Sequence, residues 1–119
     1  LMMTYVDGFV AAAPTADRAK YKEHVKIAGI VFKEAGALRV VDCWGEDVPE
    51  GKLTSFPMAV KKEADETVVF GWIEWPSRAA RDAGFAKAMQ DPRLSSAAMP
   101  FDGRRMIFGG FDVIADTKN

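Results

Sequence analysis

The chain holds one cysteine and one histidine in 119 residues. A lone Cys43 excludes an internal disulfide and a thiolate metal cluster, and it suits a reducing compartment. A lone His24, with no HxH or HExxH spacing around it, gives no metal site to expect. Net charge is also scarce: 16 basic residues face 17 acidic ones, for −1 overall. Without a block of like charge there is no electrostatic footprint for nucleic acid, and none is expected as a partner. No apolar run approaches the length of a membrane span, so no membrane partner is expected. The opening LMMTYVDGFV lacks a basic region leading into a long apolar run. No signal peptide is read there, and a cytoplasmic location is expected.

What is present is an ordinary globular composition, 49% hydrophobic and 28% charged. That is enough for one core without disulfides or metals. One domain is expected over residues 4–116, with flexible termini at 1–3 and 117–119. Residues 4–13 read as a strand, apolar on both parities, stopped by Pro14. Thr15 is placed to cap a helix in which Tyr21, Val25, Ala28, Phe32 and Ala35 form one stripe. Gly36 ends it. Residues 37–45 read as a second strand, 46–52 as a loop, and 54–61 fit either a strand or a helical turn. Residues 67–75, rich in β-branched and aromatic side chains, are the clearest strand. Ser77 caps a second helix over 78–90, with Ala79, Ala83 and Ala86 on its inner face. Residues 93–100 are irregular or one helical turn, and 105–114 form the last strand. Gly109 and Gly110 within it suggest a bulge or a close backbone approach.

The order β-α-β, connection, β-α-β is that of a ferredoxin-like α+β domain. Two helices cover one face of such a sheet. The strands are apolar on both parities, so a second copy of the chain is expected against the other face as a homodimer.

The segments DCWG, DVPEGK, VVFGWIEWPS and MPFDGRRMIFGGF give the chain a resemblance to the YbaA-like bacterial family of unknown function, over essentially residues 4–114. The resemblance implies a dimeric α+β barrel, a fold shared with cofactor-independent monooxygenases, haem-binding chlorite dismutase relatives and YCII-like proteins. It implies no established activity. A signal-recognition RNA label borne by some members finds no support in the balanced charge.

Charged residues that interrupt apolar strands are the candidates for a site. Asp7, Phe9, Arg39, Phe70, Trp72, Glu74 and Arg105 are read on one parity, opposite Val6, Leu38, Val69, Ile73 and Met106. The aliphatic set is assigned to the helix-covered face. The charged and aromatic set would then line a barrel interior and hold a small organic molecule, with Arg39, Arg105, Trp72, Phe70 and Asp7 as binding residues. Glu74 or Asp42 would serve as base, and Arg39 or Arg105 as anion holder. No cofactor is expected. The assignment rests on register, since a one-residue shift moves every side chain to the other face. The plainer reading is an ion-pair network that locks a non-enzymatic dimeric binding or assembly module. His24 is a candidate base because its charge changes near neutral pH, and its plainer role is a structural hydrogen bond. Cys43 has no neighbouring base and reads as small buried filler. Trp44, Trp72 and Trp75 read as core or interface anchors. An open pocket of roughly 300 Å3 or more, lined by these groups, would favour the ligand reading; a packed interior with all charges paired would favour the module.

Overall fold

The computed structural model describes residues 4–95 and 99–118. The elements are β1 (Tyr5–Pro14), α1 (Arg18–Glu34), β2 (Arg39–Trp44), a one-turn α2 (Phe56–Ala59), β3 (Glu66–Trp75), α3 (Arg78–Met89), a one-turn α4 (Pro92–Ser95) and β4 (Ile107–Asp112). The strands form one antiparallel sheet in the order β2-β3-β1-β4. With α1 and α3 as the crossovers, this is the ferredoxin-like α+β arrangement expected from the element order. Residues 96–98, inside the stretch read as irregular, lie outside the described residues, as do 1–3 and 119.

Two apolar clusters join the helices to the sheet. Tyr5, Ile73 and Trp75 pack with Val31, Phe32 and Ala88. Ala11, Ala13 and Val69 pack with Tyr21, and Val25 and Trp44 lie against them. The α1 stripe is therefore the one its spacing indicates. Its start differs, because a 3-10 turn over Thr15–Asp17 precedes the helix and no side chain caps it. The α3 stripe is rotated from the reading: Gly84 and Ala88 are buried, while Ala79, Ala83 and Ala86 are exposed. Ser77 caps α3 as expected, accepting from the Ala80 amide at 3.0 Å. A Cβ at position 84 would collide with the Trp75 ring and the Ala35 carbonyl. Glycine there lets α3 rest on a tryptophan.

The other sheet face is partly covered by the chain itself. Val10, Ala12 and Val68 pack under Val60, with Val48 beside them. Both Val48 and Val60 belong to the connection between β2 and β3. Its ambiguous segment is a helical turn, capped by Ser55, whose hydroxyl accepts from the Met58 amide. The rest of that face is bare: Phe70 is 40% exposed, Ile107 45% and Phe111 61%. Cys43 is exposed there as well, which corrects its reading as buried filler.

Residue pairing settles which side chains share a face. Val6 pairs with Glu74, Asp7 with Ile73, and Arg39 with Glu74. Paired residues point the same way. Val6 therefore lies with Glu74, Trp72, Phe70 and Arg39 on the face away from the helices. Asp7 and Phe9 lie on the helix face with Ile73 and Val69. Both placements of β1 reverse the expectation, because alternation within one strand does not carry the register to its neighbour. Arg105 is not on a strand at all. It ends a 3-10 turn, Gly103–Arg105, and β4 begins two residues later. No bulge interrupts β4, whose ladder with β1 runs unbroken from Ile107 to Asp112. Gly110 is a close approach instead, since a Cβ there would meet the Tyr5 hydroxyl and the Arg81 guanidinium.

Candidate functional site

The predicted site residues divide into five places. On the bare sheet face, Trp72 Nε1 donates to Glu74 Oε2 at 2.9 Å. Arg39 Nη1 lies 3.8 Å from the same oxygen. The Phe70 ring stands edge-on to Trp72, with centroids 5.9 Å apart. This group is open, and Arg39 is well exposed, so it is a surface constellation on a β2–β3 ladder rather than an enclosed pocket.

Asp7 has a structural task beneath α3. Its Oδ2 accepts from Trp75 Nε1 at 2.9 Å, and its Oδ1 lies 3.5 Å from Arg81 Nε. Arg81 also donates to the Tyr5 hydroxyl at 2.8 Å and stacks over the Tyr5 ring. Its guanidinium is held in the charged form by that hydrogen bond and by Asp7. Sequence reasoning missed Arg81; its phase, seven before Ala88 and four before Phe85, was the available signal.

Arg105 lies apart from Glu74 and Arg39. Its two terminal nitrogens donate to both oxygens of Glu66, at 2.7 and 2.6 Å, and Nη1 also reaches the Lys61 carbonyl at 2.9 Å. Its Nε donates to Asp102 at 3.2 Å. Glu66 is buried. The Arg105 hydrogen bonds, chiefly, hold its carboxyl below the usual range. This fork joins the Asp102-Gly103 turn to the start of β3, and it is taken up by protein acceptors. Of Arg39, Glu74 and Arg105, all read on one parity, the structure brings only Arg39 and Glu74 together.

Asp42 is the residue that reaches a pocket. It sits on the helix face of β2, one of the two edge strands, facing α1. Its carboxylate and the Phe9 ring share the space above Gly71, where a Cβ would meet both. A cleft of about 680 Å3 opens between α1 and β2, walled by Val25, Gly29, Ile30, Leu38 and Val40, with Asp42 among its lining residues. No hydrogen bond or ion pair to Asp42 is found among the described residues. Burial pushes its carboxyl up to about 6. Behind it lies the Tyr21 hydroxyl, 3% exposed as a residue and without a hydrogen-bond partner among the described residues. Burial, and then the nearby Asp42 charge, push that phenol far above its ordinary range. Lys22, Lys26, Lys33 and Arg39 stand around the cleft.

His24 does not join this group. Its ring is edge-on to Phe101 at 6.4 Å, and burial lowers its pKa. A smaller apolar recess of about 240 Å3 lies on the bare sheet face, between Cys43, Trp44, Val48, Phe56, Val68 and Phe70. Among the described residues no group of three or more His, Cys, Asp or Glu side chains could hold a metal. No helix there is long and apolar enough to cross a membrane.

Comparisons place this geometry among known proteins. Residues 4–103 match the family described as "Protein of unknown function (DUF1428)". The protein named "Uncharacterized protein YbaA" of Escherichia coli strain K12 is 55% identical over 116 residues, covering 96% of this chain and 99% of that one. The protein of the same name in Shigella flexneri matches to the same extent. Among solved structures, a dimeric ferredoxin-like protein from an uncultured marine organism superposes with a TM-score of 0.62. It covers 97% of this chain and 99% of its own, at 12% identity, a likeness of fold alone.

Proposed function

The chain belongs to the DUF1428 family of proteins of unknown function, and because that membership names no chemistry we propose a function from the cleft: a homodimer that binds a small organic molecule between α1 and β2, with Asp42 as the proton acceptor. One observation carries this reading. Asp42 is a carboxylate in the lining of a 680 Å3 cleft, half-buried, with no cation or donor bound to it among the described residues. Structural carboxylates are paired, as Asp7 and Glu66 are here. An unpaired one in a concave, apolar-walled site has the form of a reactive group. Its raised pKa places it where an acid–base group works near neutral pH. The chemistry it supports needs no cofactor: Asp42 takes a proton from an acidic C–H of the bound molecule and returns it to a neighbouring atom.

The homodimer is supported by the apolar remainder of the bare sheet face, and the marine structural neighbour is itself described as a dimeric protein. The rival, a non-enzymatic module, is favoured at one place: the Arg39–Glu74–Trp72 group lies on that same bare face, where a partner copy would meet it. Cytoplasmic location and the absence of a nucleic-acid partner belong to this proposal too, on the single exposed thiol and the near-zero net charge.

The test is a thermal-shift screen of a mixed set of anionic, neutral and cationic metabolites, run on the wild-type chain and on Asp42→Asn. A ligand that binds only the native state raises its apparent stability. The expected result is a hit whose shift changes in Asp42→Asn and is unaltered in Glu74→Gln. Hits that depend on Glu74 and ignore Asp42 would move the site to the sheet face. An empty screen would leave the assembly module as the reading.

A further inference from the structure

Resting on the cleft reading, we infer that the molecule taken between α1 and β2 is a small organic carboxylate with a flat apolar body, held by the lysines of α1. Four cations stand around the cleft: Lys22, Lys26, Lys33 and Arg39. Only two acids, Glu34 and Asp42, line it with them. Glu34 is already engaged by Arg93 at 2.7 Å. Asp42 accepts from none of the four, although an unpaired carboxylate ought to attract them. Lys22 and Lys26, one helical turn apart on α1, form no ion pair among the described residues. Lys33 caps the Leu38 carbonyl at 3.0 Å, and Arg39 holds Glu74 only loosely. The cleft therefore presents uncompensated positive charge at its rim and a lone carboxylate further in. An organic acid matches both: its carboxylate meets the α1 lysines, and its apolar body lies on Val25, Gly29 and Val40. The carbon next to the carboxylate or carbonyl is then carried toward Asp42.

The arrangement also fixes a pH response. Asp42 faces Tyr21 on α1 and the uncharged Phe9 and Gly71 on β1 and β3, and it shares the cleft lining with Lys22, Lys26, Lys33, Glu34 and Arg39. When Asp42 ionises above about 6 it repels an anionic ligand. Affinity for a carboxylate should therefore rise as pH falls through that value.

The experiment is calorimetric titration of the full chain with benzoate, its neutral isostere benzamide and the cation benzamidine. Benzoate is expected to bind about tenfold more tightly than benzamide at low salt, an advantage that shrinks as ionic strength rises. Lys26→Gln should remove most of that preference without altering the fold, since Lys26 is exposed and forms no ion pair among the described residues. Asp42→Asn should bind benzoate more tightly than the wild type at pH 7.5 and show no change between pH 5 and 7.5. Equal binding of benzamide, or tighter binding of benzamidine, overturns the carboxylate assignment and leaves the cleft standing. If none of the three binds, the carboxylate assignment falls, and the mixed screen alone decides the cleft.

Discussion

Two carboxylates in this chain, the half-buried Asp42 and the buried Glu66, respond to pH in opposite senses, and the difference lies in their neighbours. Asp42 has its pKa raised from 3.8 to about 6 by burial. The folded state therefore binds its proton more tightly than the unfolded state does. Its penalty is absent below about pH 4, grows between 4 and 6, and is complete above 6. Asp42→Asn should accordingly stabilise the fold at pH 7.5, by on the order of 1–2 kcal/mol once screening through the open cleft is allowed for. At pH 4 it should change nothing. Urea denaturation of the two proteins at both pH values checks this, and an equal effect at both would show that burial of charge is not the cause. Glu66 is the converse case. Arg105 lowers its pKa, so its contribution is present above the unfolded value near 4.5 and is lost as pH falls through the folded one. Glu66→Gln leaves Arg105 with Asp102 as its one carboxylate partner among the described residues, beside the Lys61 carbonyl, and should cost about 2–4 kcal/mol at pH 7. Its unfolding midpoint should fall sharply at pH 7 and converge on the wild type in acid.

At the scale of elements, the sequence was most legible where one periodicity dominated. The stripe of α1 and the β-branched run of β3 fall where their spacing puts them, because apolar and aromatic residues dominate their buried positions. Helix α3 was misphased because its buried face is built of Arg81, Gly84, Phe85 and Ala88. An arginine does not register as apolar, and a glycine reads as weak helix. Strand β4 was drawn too long because Arg104 and Arg105 adjoin its apolar run, yet Asp102 turns them into a 3-10 turn by accepting the Arg104 amide at 3.0 Å. The sequence offers Asp42 as a base from its position in β2. Its pocket was not legible, because that depends on how far α1 stands from the edge strand. Gly84→Ala tests the corrected phase. Alanine favours a helix by about 1 kcal/mol, but overpacking against Trp75 costs about 1–3 kcal/mol. A net loss of stability in chemical denaturation is expected, whereas a gain would mean that Trp75 shifts aside easily. Ala83→Gly, on the exposed face, should cost only its helix propensity.

For the whole molecule, the proposed homodimer turns on the sheet face away from the helices. The connection between β2 and β3 seals one end of that face with Val48 and Val60. Phe70 and Ile107, in the row of Val10 at the margin of that seal, and Phe111, in the row that holds Glu74 and Arg39, stay open to water. Phe111 lies across from Val6 in the β1–β4 ladder, and the Val6 row continues to Glu74. An apolar patch with one ion pair at its margin suits a self-complementary surface. A stable pairing of two such faces should bury more than about 1,200 Å2 in total. Phe111→Glu would place a charge on that face without touching the helix-side core or the Asp42 cleft. Sedimentation equilibrium at micromolar concentration should then show the wild type as a dimer and Phe111→Glu as a folded monomer. A wild-type monomer would defeat the homodimer. A Phe111→Glu dimer would move the contact to another surface, because glutamate carboxylates buried against an apolar partner face carry a desolvation cost of several kcal/mol.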